Sequence, residues 1–246
     1  MDKTSLYICF LAGAITAGTA VYAIQNNNAT QPVATAGKVS ESEVVAILEK
    51  NPQIVVNAMQ KFEQQKREAE ERAAAKLFMD NLDELHNDPD TPYVGPKDAE
   101  VVLVEFFDFN CGYCKKIANT METIIKNNPD IKVVFKPVTF LGSKPIALAA
   151  VAANEQGKFL ELYKAFLTAP GRLDEAKINE IVEKAGLDMD KFKADVASEK
   201  VNKIIEKSAA LGNKVQIRGV PSLILNGKKL NTVDLSAIQA AIDNLK

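Results

Sequence analysis

The chain has 246 residues, 47% of them hydrophobic, and its 30 Lys and Arg against 32 Asp and Glu leave a formal net charge of −2. That length supports one or two domains with a real core, and a balance this even argues against a nucleic-acid partner, which needs a basic surface. Three cysteines and one histidine are too few for a disulfide-stapled scaffold or a rich metal centre.

Residues 6–23 are uncharged, follow Lys3 and end at Val21-Tyr22-Ala23, which meets the small-residue rule for signal-peptide cleavage. Residues 1–23 are therefore expected to be an export signal cut after Ala23, which would place the mature protein in the periplasm. The alternative is an uncleaved anchor, because the run approaches the roughly 18 residues that span a bilayer. Residues 24–39, rich in Asn, Ala, Thr and Gln, have no sustained apolar period and are expected to be a flexible tether.

Residues 40–87 should be helical. Ser40-x-x-Glu43 matches a capping box that opens a short helix through Leu48, and Asn51-Pro52 offers an N-cap and first-turn proline for a second, longer helix. The second helix begins with an apolar stripe of Ile54, Val55, Ala58, Met59 and Phe62. Its middle, 63–76, is nearly all charged or amide residues and Ala, and apolar residues return at Leu77, Phe78, Leu82 and Leu85. The stripe needs a covering surface, which points to self-association through residues 40–87, with an intramolecular lid as the alternative. His86-Asn-Asp-Pro then breaks helix and opens a second domain, 88–246, with His86 expected at the surface.

Residues 101–107, Val-Val-Leu-Val-Glu-Phe-Phe, read as a strand buried on both faces. Cys111-Gly-Tyr-Cys114 follows, and Ile117, Met121, Ile124 and Ile125 then set a helical period, so Cys111 falls at a helix N-terminus. Unpaired N–H groups and the positive end of the helix dipole favour a thiolate there, which makes Cys111 the attacking thiol and Cys114, one turn further in, the resolving one. As half of a zinc site the pair lacks two further ligands, since only Cys9 and His86 remain. As a structural bridge it would close too small a loop to constrain the unfolded chain much. No metal or organic cofactor is therefore expected.

Residues 131–138 form a second apolar strand, so the segment from 101 to 138 is a βαβ unit with parallel strands and the fold class is α/β. Residues 143–213 read as helices throughout, an all-helical insertion. Gly219-Val220-Pro221 precedes a third strand at 222–226, Gly227-Lys228 turns into 229–233, and Asp234 caps a last helix.

The order of elements, together with Val-Glu-Phe-Phe-Asp-Phe-Asn-Cys-Gly-Tyr-Cys, Ala-Asn-Glu-Gln-Gly-Lys-Phe and Gly-Val-Pro-Ser, resembles the DsbA family of exported thiol–disulfide oxidoreductases over residues 93–246. The resemblance implies a thioredoxin fold with a helical insertion, preceded here by the N-terminal helical segment. It implies that Pro221 is a cis-proline beside the cysteines, that Val220 offers backbone groups to a peptide with Gly112 and Tyr113 nearby, and that Glu105 relays the proton of Cys114. Lys136 on the neighbouring strand is expected as a charge partner of Glu105. It also implies cysteine-containing exported proteins as substrates and a membrane redox partner that resets the pair. The strongest oxidants of the family carry Pro-His between the cysteines. Gly112-Tyr113 instead resembles the dimeric isomerase DsbC, so a milder oxidant that forms or reshuffles disulfides is expected. The alternative is an exported adaptor that uses the same domain only to bind.

Overall fold

A computed structural model of the chain describes residues 40–246. The expected signal, its cleavage after Ala23, Cys9 and the tether all lie outside the described residues. The chain divides after Val56 into two compact units.

In the first unit, Ser40 caps α1 (Glu41–Lys50) in the expected capping box, its side chain accepting from the Glu43 N–H while the Glu43 carboxylate accepts from the Ser40 N–H. Asn51 differs from expectation. It closes α1 as its C-cap, donating both its backbone N–H and its side-chain amide to the Ile47 carbonyl. The carbonyls left open at a helix end supply the reason, and an Asn that reaches one is held there. Val44, Val45 and Ile47 of α1 are exposed, as are Ile54, Val55 and Val56 at the start of α2 (Gln53–Asp80); Met59 and Phe62 of α2, which fall in the second unit, are exposed as well.

In the second unit, α2 ends by burying Phe78, and α3 (Leu82–His86) buries Leu85. The sheet contains β1 (Tyr93–Val94), β2 (Val102–Phe107), β3 (Lys132–Pro137), β4 (Ser222–Leu225) and β5 (Lys228–Leu230), in the order β1-β3-β2-β4-β5. β2 and β3 run parallel, joined through α4 (Gly112–Asn127), while β1, β4 and β5 pair antiparallel. β1 was not expected; two residues carry no periodicity, and only the antiparallel pairing with β3 makes them a strand. The Asn226-Gly227 turn between β4 and β5 has positive φ at both residues, 44° and 78°, the geometry of a tight hairpin. A Cβ on Gly227 would stand 2.6 Å from the Met79 sulfur, so a larger residue there would displace that side chain.

Alternation along β2 divides the core. Leu103 and Phe107 join the cluster under α4 and the inserted helices, while Val102, Val104 and Phe106 pack on the other face with Phe78, Leu85, Leu211 and Ile217. The insertion is as expected: α5 (Lys144–Asn154), α6 (Phe159–Thr168), α7 (Glu175–Lys184), α8 (Met189–Val196) and α9 (Glu199–Lys214). Asp174, Asp188 and Ser198 cap the last three through side-chain acceptance of first-turn N–H groups. After β5, Asp234 caps α10 (Leu235–Asp243) in the same way. Among the described residues no helix is long and apolar enough to cross a membrane.

His86 is half buried rather than at the surface. Its Nε2 is enclosed without a partner among the described residues, and burial lowers its pKa to about 4. The ring is thus held neutral at neutral pH.

Candidate active site

β2 ends at Phe107 and the chain must turn before α4 can begin. Asp108, fully buried, organises the turn: its Oδ1 accepts from the Asn110 N–H at 2.8 Å, its Oδ2 from the Leu141 N–H at 2.9 Å, and its carbonyl from the Cys111 N–H at 3.0 Å. Asn110 adds a hydrogen bond to the Leu141 carbonyl at 3.0 Å. Two backbone segments are thereby locked side by side. Leu141 and its neighbour Phe140 are exposed at this end of the sheet.

Cys111 is the N-cap of α4, with extended backbone and no side-chain hydrogen bond to the first turn. The first N–H groups of the helix therefore face the thiol region uncapped, as the sequence predicts. Cys111 is only 6% exposed, and its Sγ donates to the Val220 carbonyl at 3.4 Å. The Val220–Pro221 peptide bond is cis, as the resemblance implies. Both cysteines carry free thiols. A side chain at Gly112 would meet nothing within 4 Å, so the surface at that residue is open. Tyr113 is 67% exposed, and Lys116 Nζ lies 5.1 Å from its ring centroid.

Cys114 lies on the buried stripe of α4 with Ile117, Ala118, Met121 and Ile124, and is fully enclosed. Burial pushes its thiol well above the ordinary range, with the Glu105 carboxylate adding to the rise and a hydrogen bond from the Asp108 backbone opposing it. Cys114 therefore needs a base to ionise at neutral pH.

Glu105 is 0% exposed and does not reach solvent. Its Oε2 accepts from the Tyr163 hydroxyl at 2.8 Å, and Oε1 has no hydrogen-bond partner among the described residues. Burial raises its pKa to about 8, against the Tyr163 hydrogen bond, which lowers it. The expected partnership with Lys136 fails. Register pairs Glu105 with Phe135 and Phe106 with Lys136, so the lysine projects from the opposite face. There Lys136 Nζ donates to Thr91 Oγ1 at 2.9 Å and to the Glu84 carbonyl at 3.1 Å, and lies 3.7 Å from Asp88. Burial lowers it to about 8.

Glu105, Cys111, Cys114, Gly112, Tyr113, Val220 and Pro221 thus share one end of the sheet. Asp108 and Tyr163 were missed. Asp108 did leave a signal, a carboxylate inside Phe-Phe-Asp-Phe, whereas Tyr163 sits in an ordinary amphipathic helix. Among the described residues no group of three or more His, Cys, Asp or Glu is placed to hold a metal ion.

A family model described as Thioredoxin matches residues 87–244. Among solved structures, a thioredoxin-like oxidoreductase from Silicibacter pomeroyi is 32% identical, with a TM-score of 0.61 over 66% of this chain and 95% of that one. The thiol–disulfide exchange protein alpha-DsbA2 from Wolbachia pipientis is 26% identical, with a TM-score of 0.67 over 72% and 98%. A curated relative, the Na(+)/H(+) antiporter NhaA 1 of Salinispora arenicola, is 28% identical over 161 residues, 63% of this chain but 25% of its own length. The chain thus spans a quarter of that relative.

Proposed function

Because this chain belongs to the thioredoxin family, we propose that it catalyses thiol–disulfide exchange in exported, cysteine-containing proteins of the periplasm. The observation that carries the reading is the Cys111 thiol at the N-terminus of α4, 3.4 Å from the carbonyl of Val220 in the cis Val220–Pro221 peptide.

In the reducing direction, the Cys111 thiolate attacks one sulfur of a substrate disulfide. A Cys111–substrate bond forms, the substrate S–S bond breaks, and one substrate thiolate leaves and takes up a proton. Cys114 then gives its proton to Glu105 and attacks Cys111 Sγ. The second substrate thiolate departs and the Cys111–Cys114 disulfide remains, so that two electrons have passed to the substrate. Oxidation is the reverse. Reshuffling stops at the mixed disulfide and returns the substrate with a different pairing. Val220 supplies backbone contacts to the peptide beside Pro221, and Gly112 and Tyr113 form the floor and rim. A membrane redox partner resets the pair.

Without an imidazole between the cysteines, the Cys111 thiolate has one fewer stabiliser, which favours a mild oxidant or isomerase over a strong oxidase. The test is reduction of insulin disulfides, paired with equilibration of the cysteines against glutathione. Precipitation at the uncatalysed rate would overturn the enzyme reading, and an equilibrium as oxidising as that of Pro-His proteins would overturn the isomerase one.

Self-association through residues 40–87 belongs to the same proposal, because an isomerase gains from two active sites around one substrate. The exposed stripe of Val55, Met59 and Phe62 on α2, spaced four and three residues apart, supports it. Cutting the chain at Asp88 is a poor test, since Phe78 and Leu85 belong to the core on the sheet. Light scattering on the full chain and on a Val55→Asp, Phe62→Asp variant should instead give an oligomer and a monomer, and equal masses would remove the idea.

A further inference from the structure

Glu105 stands on the face of β2 that meets α4 and α6. The titratable groups around it on that face are Tyr163 from α6 and Cys114 with Cys111 from α4, while the lysine of the neighbouring strand, Lys136, faces away. Its two oxygens are unequal. Oε2 is engaged by the Tyr163 hydroxyl at 2.8 Å; Oε1 is enclosed and open to a proton. Tyr163 is itself fixed, its ring 5.1 Å from Phe107 and 4.8 Å from Phe135 between centroids, and 1% exposed. A phenol so packed cannot swing away without opening the core.

We propose that Tyr163 is the positioning residue of the proton-transfer site: its phenol occupies Oε2 of Glu105, leaves Oε1 to take the Cys114 proton, and sets the pH at which Cys114 resolves a mixed disulfide. The proposal rests on the Glu105 relay and goes one step past it. A phenol donates more strongly to a carboxylate than to a carboxylic acid, so the bond favours the ionised, proton-accepting form of Glu105. This agrees with the lowering that Tyr163 exerts against burial. The phenol stays protonated throughout, its own ionisation pushed up by burial and by Glu105. The transfer balances: the thiol proton moves from Cys114 to Oε1, the thiolate pair forms the bond to Cys111 Sγ, and the bonding pair of the broken S–S leaves on the substrate sulfur as a thiolate, which takes up a proton from solvent.

The experiment is the pH profile of mixed-disulfide resolution, followed by stopped flow in the full chain, in Tyr163→Phe, in Glu105→Gln and in the double variant. Tyr163→Phe should move the midpoint of the profile up by about one pH unit, the size expected for losing one charge-assisted hydrogen bond at a buried site. In the Glu105→Gln background it should move nothing. A fluorotyrosine placed at 163, with a more acidic phenol and nearly the same shape, should shift the midpoint down, and this arm stands even if the phenylalanine variant fails to fold. An unmoved midpoint in Tyr163→Phe and in the fluorotyrosine protein, with Glu105→Gln altered, would overturn the role of Tyr163 and leave the relay intact. An unaltered Glu105→Gln profile would remove both.

Discussion

Serine at Cys111 should abolish insulin reduction, by at least about 10³-fold, whereas serine at Cys114 should leave a protein that captures its substrates and fails to release them. The asymmetry comes from placement. Cys111 caps α4 at the mouth of the helix against the Val220 carbonyl, and Cys114 is fully enclosed one turn further in. A hydroxyl at Cys111 is too weakly acidic to attack cystine, so nothing begins. A hydroxyl at Cys114 leaves the first attack intact and removes the second, so a mixed disulfide through Cys111 accumulates to one equivalent. Non-reducing electrophoresis with mass spectrometry reads the trapped species, and dithiothreitol should dissolve it. Equal behaviour of the two variants, or residual turnover in Cys111→Ser at the unmodified rate, would contradict the assignment of roles.

Replacing Glu105 by Gln should slow turnover while making the reduced protein more stable. In the folded chain the carboxyl titrates at about 8, against an ordinary value of 4.5 when unfolded. A pKa raised by folding adds stability that is fully present below 4.5 and is lost as the pH rises through 8, because the unfolded chain ionises first. At pH 7 this amounts to about 3 kcal/mol, or roughly 6–12 °C in melting temperature for a domain of this size. Glutamine keeps the shape and an acceptor for Tyr163 but cannot ionise. Its melting temperature should therefore match that of the parent near pH 4.5 and exceed it from pH 7 upward. The loss of turnover should be smallest near pH 4.5, where the parent carboxyl is as neutral as the amide, and should grow as the pH rises through 8, where the parent ionises and can accept the Cys114 proton. Parallel melting curves at pH 4.5 and pH 8 would show that Glu105 is not a strained carboxylate, and unchanged kinetics would show that it is not the base.

This opposition between stability and activity follows from burying an ionisable group that the chemistry uses. Of the two further residues at this site, Asp108 orders the turn before Cys111 and Tyr163 holds Glu105, and they differ in how visible they are. Asp108 interrupts an apolar run, and a carboxylate there asks for N–H partners, which Asn110 and Leu141 provide. Tyr163 lies 58 residues from Glu105 and looks like any other aromatic on the buried side of a helix.

What the sequence settled by itself is what local periodicity encodes. Unbroken apolar runs in β2 and β3, period 3.6 from Cys114 onward in α4, and side chains that cap first-turn N–H groups at Ser40 and Asp234 each act within a turn or two of the chain. They place the cysteines at a helix mouth after a buried strand, and the alternation of strand and helix makes the fold α/β. Only the tertiary structure decided which buried groups meet. Lys136 illustrates the reason: in a parallel pair the register is fixed by packing on both faces, and an offset of one residue pairs it with Phe106 and turns it toward Asp88 instead of Glu105. The partner that Glu105 does have reaches it from α6, across a layer of packing that no stretch of either element specifies alone.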